Sequence, residues 1–195
     1  MKLNNLLFFT NNENKKKEVE NLFKNLKYKI LSPSDMSLFF EPNEIGKSFI
    51  DNAKIKSSYG FNRFNIPCFA DDSGICIEAL SWKPNINSKN FLGSFKNKND
   101  CFNYILKKVN KTKKNKAYFI TSICLTLNEK HHIIFQGRLD GTISNKAMGQ
   151  RGFGFDPIFK PFKFSKTLGE MNKEEKNKIS HRSIAINKLI NFLTN

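Results

Sequence analysis

Between Pro67 and Leu80 the sequence reads PCFADDSGICIEAL: a short apolar approach runs into two adjacent carboxylates, a hydroxyl and a glycine, and then resumes as an apolar run. Adjacent residues on a strand point to opposite faces, so Asp71 and Asp72 line one cleft only if the backbone turns there. Gly74 supplies the freedom for such a turn. Two carboxylates beside a turn suit Mg²⁺, which takes oxygen ligands and is often held by one or two carboxylates plus substrate phosphates. The alternative is an Asx-type turn with solvated acids. The context favours the cation, because Phe69, Ala70, Ile75, Ile77 and Leu80 enclose the acids in a chain otherwise short of acids and crowded with lysine.

At 195 residues the chain suffices for one substantial core, in one or two lobes, and is too short for two generous independent domains. We therefore expect a single domain over residues 1–195. A formal charge of +16 points to nucleic acid, an anionic surface or a phosphorylated small molecule as partner. Much of the lysine, however, lies with asparagine in runs such as KNKND and KKVNKTKKNK, which reads as a usage bias spread over the chain. Cys68, Cys76, Cys101 and Cys124 show no CxxC spacing and lie in apolar surroundings, so they read as core thiols in a reducing compartment. The apolar run at the N-terminus is too short for a signal-peptide core or a membrane span, and the expectation is a soluble, cytoplasmic protein.

In chain order, Leu6 to Phe9 read as a strand, and Val19, Leu22, Phe23 and Leu26 form the stripe of a helix from Glu13 to Lys27 capped by Asn11 or Asn12. A strand, polar turn and helix start offer backbone N–H groups to an anion, with Lys15 one turn in. Residues 28–47 read as mostly irregular, with a short strand at Lys29 to Leu31. Ser48 caps a helix from Phe49 to Tyr59, whose Asp51 and Asn52 suit the helix dipole and need no catalytic reason. Ser81 to Lys98 read as a long Asn- and Lys-rich loop. Phe102, Ile105, Leu106 and Val109 make a further helical stripe. Ala117 to Leu127 and His131 to Gln136 read as a hairpin, with His131 and His132 surface residues. RGFGFDPIFKPF alternates glycine with phenylalanine, as either an aromatic-packed turn or a platform for a planar ligand. Ser180 caps a C-terminal helix whose first positions, His181 and Arg182, run against the dipole preference and so suggest an anionic or hydrogen-bonding partner.

Five motifs taken in order, TNNENK (Thr10 to Lys15), EIGKSFIDNAKIK (Glu44 to Lys56), FADDSG (Phe69 to Gly74), GFGFDPIF (Gly152 to Phe159) and KNKISHR (Lys176 to Arg182), resemble the inosine/xanthosine triphosphate pyrophosphatase family over nearly the whole length. The resemblance implies an elongated, two-lobed, mixed-sheet α/β fold with the active cleft between the lobes, and usually a homodimer. It implies Mg²⁺-assisted hydrolysis of non-standard purine nucleoside triphosphates (ITP, dITP, XTP) to monophosphate and pyrophosphate. Carried over, the phosphate-binding turn falls on Thr10, Asn11, Asn12, Glu13, Asn14 and Lys15. The metal-binding glutamate is Glu44, and the general base and metal-associated aspartate is Asp72, with Asp71 a further candidate ligand and Ser73 at the substrate. Base recognition falls on Phe153, Gly154, Phe155 and Asp156, on Lys176 between base and phosphate, and on His181 and Arg182.

The chain departs from the family pattern at Asn11, where glycine is usual, and at Asp51, where glutamate is expected. It departs most at Pro84 to Asn90, which lacks the family's tyrosine and arginine. Those departures leave a weakened pseudoenzyme as one alternative. The charge leaves a basic nucleic-acid-binding module as another, although no zinc-finger, RRM or KH signature is present and no specific nucleic acid is expected.

Overall fold

Ten consecutive residues, Cys68–Ile77, form one extended strand, which corrects the turn expected at Gly74. The computed structural model describes residues 4–37 and 40–195. It carries the backbone straight through Asp71 and Asp72, which are 2% and 6% exposed, so the two acids satisfy their charges with different partners instead of sharing a turn. Residues 38 and 39, inside the segment expected to be irregular, lie outside the described ones.

The elements are β1 (Asn4–Phe8), α1 (Glu13–Phe23), β2 (Tyr28–Leu31), α2 (Phe49–Phe64), β3 (Cys68–Ile77), β4 (Lys83–Pro84), α3 (Ser88–Gly93), α4 (Lys98–Thr112), β5 (Lys116–Thr126), β6 (His132–Ile143), β7 (Phe159–Pro161), α5 (Lys173–Ile179) and α6 (His181–Thr194). Their sheet is mixed, in the order β2-β1-β3-β5-β6-β7, with β4 paired to β3. β1 runs parallel to both β2 and β3, whereas β4 on β3 and β7 on β6 are antiparallel. No helix among the described residues is long and apolar enough to cross a membrane.

The chain divides into two compact units. The first comprises Met1–Asp72, Thr121–Gly137 and Arg182–Asn195. Its core gathers Leu6 and Phe8 of β1, Val19 and Phe23 of α1, Phe69 of β3, Ile123 and Leu125 of β5, and Ala185, Ile186 and Leu189 of α6. Phe8 and Phe69, register partners on parallel strands, stack at 4.7 Å. α1 ends at Phe23, short of the expected Lys27, and the chain bends there with Leu26 N–H bonded to the Phe23 carbonyl. α2 runs to Phe64, beyond the expected Tyr59, and presents Ala53, Ser57 and Gly60 as a buried row of small residues. A Cβ on Gly60 would press on Cys68 Sγ and the Phe9 ring, so glycine there sets how closely this helix approaches the strands.

The second unit comprises Ser73–Ile120 and Arg138–His181, built on Ile75 and Ile77 of β3, Cys101, Phe102 and Ile105 of α4, Ile143 of β6, and Phe155, Ile158 and Phe159. Here the loop expected from Ser81 to Lys98 is corrected: it holds β4, a 3-10 turn at Asn85–Asn87 and α3. Ser88 organises it, accepting the Ile75 N–H at 2.9 Å and donating to the Asn85 carbonyl at 2.6 Å. β6 extends to Ile143, well past the expected Gln136. α5, which sequence patterning did not separate from its surroundings, is closed by a reciprocal cap between Asn172 and Glu175. All four cysteines are buried free thiols.

Candidate active site

α2 and β3 assemble the first cluster within the first unit. Asn52 and Lys56 are four residues apart on α2, hence on one face of the helix. Both reach Asp72: Asn52 Nδ2 donates to Asp72 Oδ2 at 3.0 Å, and Lys56 Nζ lies 3.8 Å from Asp72 Oδ1. Lys56 Nζ also bonds Glu44 Oε1 at 2.8 Å. The Asn52 side-chain carbonyl accepts the Gly46 N–H at 2.9 Å, which ties the segment carrying Glu44 to the same helix. A Cβ on Gly46 would press on Asn52, so that position needs glycine for the close approach. One amide thus spans the two acidic segments. The reading of Asn52 as only a first-turn helix residue is thereby corrected.

Asp71 faces other partners. Its Oδ1 takes the Lys15 ammonium at 2.9 Å, and its Oδ2 takes Arg182 Nε at 3.2 Å. Arg182 Nη1 in turn donates to Glu18 Oε2 at 2.5 Å. Burial pushes the Asp72 carboxyl above its usual range, against the opposing pull of Lys56 and the Asn52 amide. For Lys56, burial works against the charge, but Asp71, Asp72 and Glu44 outweigh it and hold the ammonium above its ordinary value. Lys15 goes the other way: burial, helped by repulsion from Lys56 and Arg182, outweighs Asp71 and lowers it. Burial likewise opposes the Arg182 charge, and Asp71 and Glu18 overcome it.

The strand-to-helix turn at Thr10–Lys15 has its N–H groups largely engaged. Asn12 caps α1, its Oδ1 accepting the N–H groups of Asn14 and Lys15 at 3.0 and 3.2 Å. Thr10 Oγ1 accepts the Asn12 N–H, and a carboxylate oxygen of Glu41 accepts the Asn11 N–H at 3.0 Å. An anion therefore already sits at the start of α1, as the helix dipole favours. Glu13 and Asn14 are exposed in the first turn, and Ser73 is half-buried on β3.

The second unit holds a separate aromatic and charged cluster. Gly152 and Gly154 adopt positive φ, +75° and +62°, and fold the segment so that the Phe153 N–H donates to Asp156 Oδ2 at 2.7 Å. A side chain at Gly152 would collide with that carboxylate. Lys176 Nζ bonds the same oxygen at 2.7 Å and lies 4.4 Å from the centroid of the half-buried Phe153 ring. His181 stacks on Phe119 at 4.7 Å and 10°. Phe155, by contrast, is 5% exposed in the hydrophobic core, so its ring belongs to packing. His181 and Arg182 are sequence neighbours assigned to different units, His181 beside Phe119 and Arg182 on Asp71 and Glu18.

Glu18, Asn52 and Lys56 escaped the sequence reading as site residues. For Asn52 and Lys56 the available signal was their i, i+4 spacing next to Ala53, Ser57 and Gly60, a polar pair beside a buried small-residue face. The donors near Asp72 are carboxylate oxygens, and no group of three or more His, Cys, Asp or Glu suited to a metal occurs among the described residues. Glu44 and Asp72 alone fit a hard cation such as Mg²⁺ whose remaining positions are filled by water and substrate phosphate.

The family model described as the Ham1 family matches residues 6–192. This chain belongs to the Ham1 family. Among Ham1 relatives, a Flavobacterium johnsoniae protein named dITP/XTP pyrophosphatase is 38% identical over 97% of each chain. A Leptospira interrogans protein of the same name is 38% identical over 94% of each. The solved HAM1 protein of Coxiella burnetii is 30% identical and superposes with a TM-score of 0.89, covering 98% of this chain and 99% of its own.

Proposed function

We propose that this protein hydrolyses non-standard purine nucleoside triphosphates, inosine, deoxyinosine and xanthosine triphosphate, to the monophosphate and pyrophosphate. The observation that carries the reading is the buried Asp72 carboxylate held between the Asn52 amide and the Lys56 ammonium beside Glu44. Membership of a family whose relatives bear the name dITP/XTP pyrophosphatase supports it. Glu44 and Asp72 would hold Mg²⁺, which when bound neutralises phosphate charge and polarises phosphorus. Asp71 serves instead as the shared counter-ion of Lys15 and Arg182.

Asp72 orients the attacking water and accepts its proton. The water oxygen bonds to the α-phosphorus, the bond from that phosphorus to the α–β bridging oxygen breaks, and pyrophosphate leaves with that oxygen. Lys15 offsets charge on the phosphates, with Thr10 to Asn14 shaping the turn that carries it. Phe153 offers its ring for stacking, and Gly154, Asp156, Lys176 and His181 shape recognition of the base. The same reading includes a homodimer in the cytoplasm, the nucleotide as partner, and no specific nucleic acid.

The test is pyrophosphate release across inosine, xanthosine, adenosine and guanosine triphosphates with Mg²⁺, for wild type and Asp72→Asn. Wild type should turn over the inosine and xanthosine nucleotides well ahead of the others. Asp72→Asn should keep its fold and lose about 10²-fold or more in turnover. Near-wild-type turnover by that variant would remove Asp72 from the chemistry. No preference for deaminated bases would overturn the substrate class.

A further inference from the structure

Lys56 has a place that the reading above leaves unexplained. Its side chain is 7% exposed, and its ammonium lies 2.8 Å from Glu44 Oε1 and 3.8 Å from Asp72 Oδ1, one oxygen of each proposed metal-binding carboxylate. The other Asp72 oxygen is taken by Asn52. The lysine and a divalent cation are therefore suited to the same two oxygens. They cannot both have them closely without like-charge repulsion in a setting only partly screened by water. With Asp71 engaged by Lys15 and Arg182, and no group of three or more His, Cys, Asp or Glu suited to a metal among the described residues, the two carboxylates offer a divalent cation a sparse ligand set. Lys56 is anchored rather than adrift: it stands one helical turn after Asn52 on α2, whose N-terminus is capped by Ser48.

We propose that Lys56 is a positioning residue that serves as resident counter-cation of Glu44 and Asp72, keeps a free divalent metal ion from binding them, and yields them to a metal arriving on a triphosphate. Phosphate oxygens then give the ammonium a new anionic partner. The consequence is an order of binding: the metal enters with the nucleotide rather than before it. This rests on the proposed function for the identity of the nucleotide, while the competition between lysine and cation stands on the geometry alone.

Mn²⁺ binding to metal-stripped protein without nucleotide, followed by the electron paramagnetic resonance of the free ion, tests it. Wild type should bind Mn²⁺ weakly. Lys56→Met, which keeps the length and removes the charge, should bind it about tenfold or more tightly, as expected when a like charge within a few ångströms is removed. Lys56→Arg should bind no more tightly than wild type. A lysine with only a packing role predicts equal or weaker Mn²⁺ binding in Lys56→Met, and that result would overturn the proposal. If Lys56→Met is unfolded in metal-free buffer because two carboxylates are left without a cation, Mn²⁺ should restore its circular dichroism. Failure to restore it also overturns the proposal. Calorimetry with the Mn²⁺ complex of the α,β-methylene analogue of inosine triphosphate should show the opposite sign, weaker binding to Lys56→Met than to wild type. Unchanged or tighter binding of that complex would remove the transfer of Lys56 to phosphate. Pyrophosphate release by wild type is measured in parallel: its absence counts against the proposed function, whereas the Mn²⁺ titration decides the role of Lys56 in either case.

Discussion

Arg182 answers two carboxylates at once, Asp71 through Nε and Glu18 through Nη1, and is 2% exposed. A planar guanidinium with several fixed donors suits this better than an ammonium, because each acid meets its own N–H without the side chain having to move. Removing one partner from such a buried set leaves the others uncompensated, which costs far more than an exposed ion pair is worth. Arg182→Ala should therefore lower stability by about 3 kcal/mol, read from urea unfolding, and should depress turnover of every triphosphate as Asp71 and Lys15 lose their geometry. Arg182→Lys should recover only part of both. A role in base reading alone predicts something different: unchanged unfolding and a narrowed ratio of kcat/KM between inosine and adenosine triphosphates. The two outcomes are separable in one set of variants.

At the scale of elements, α3 and the turn before it hang on a single hydroxyl. Ser88 Oγ takes the N–H of Ile75, whose strand would otherwise leave that donor buried without an acceptor. Ser88→Ala should cost about 1–3 kcal/mol, the scale of a buried group left unsatisfied, with backbone hydrogen exchange rising around Ile75 and through Ser88–Gly93. Unchanged protection there would mean that packing of Phe91 and Leu92 holds the element instead. This segment also shows where sequence reading stops. SKNFLG is too short to show a helical stripe and is rich in residues that read as loop, so only the tertiary bond to Ile75 and the packing of Phe91 and Leu92 distinguish it. α1 and α2 were legible from caps at Asn12 and Ser48, and α1 and α4 from apolar stripes that carry the signal within one window. The straight course of β3 was not, since the cations that make paired acids tolerable inside a strand come from positions 15, 56 and 182. Within the candidate site, Asp72, Glu44 and Lys15 were legible from motif order, while the Asn52 bridge depended on Gly46 folding back onto α2.

At the scale of the whole molecule, the charge of +16 has to be placed before it can be interpreted. The enclosed cations are matched: Lys15 by Asp71, Lys56 by Glu44 and Asp72, Lys176 by Asp156, and Arg182 by Asp71 and Glu18. The excess therefore lies on exposed lysines, as along residues 110–116 after the buried part of α4. A surface field of this kind speeds the approach of an anion and contributes little once the anion is bound among matched charges. Raising salt from about 0.01 to 0.15 M shortens the screening length from about 30 to about 8 Å. Over that range kcat/KM for inosine triphosphate should fall severalfold, while kcat at saturating substrate changes little. Single-stranded DNA of random sequence should bind weakly, because exposed lysines attract phosphate while the half-buried Phe153 ring, with Lys176 over it, is a single stacking position sized for one base. Tight binding to that DNA with a steep salt slope, in a protein whose triphosphate turnover ignores ionic strength, would reverse the assignment and make the basic surface a nucleic-acid footprint.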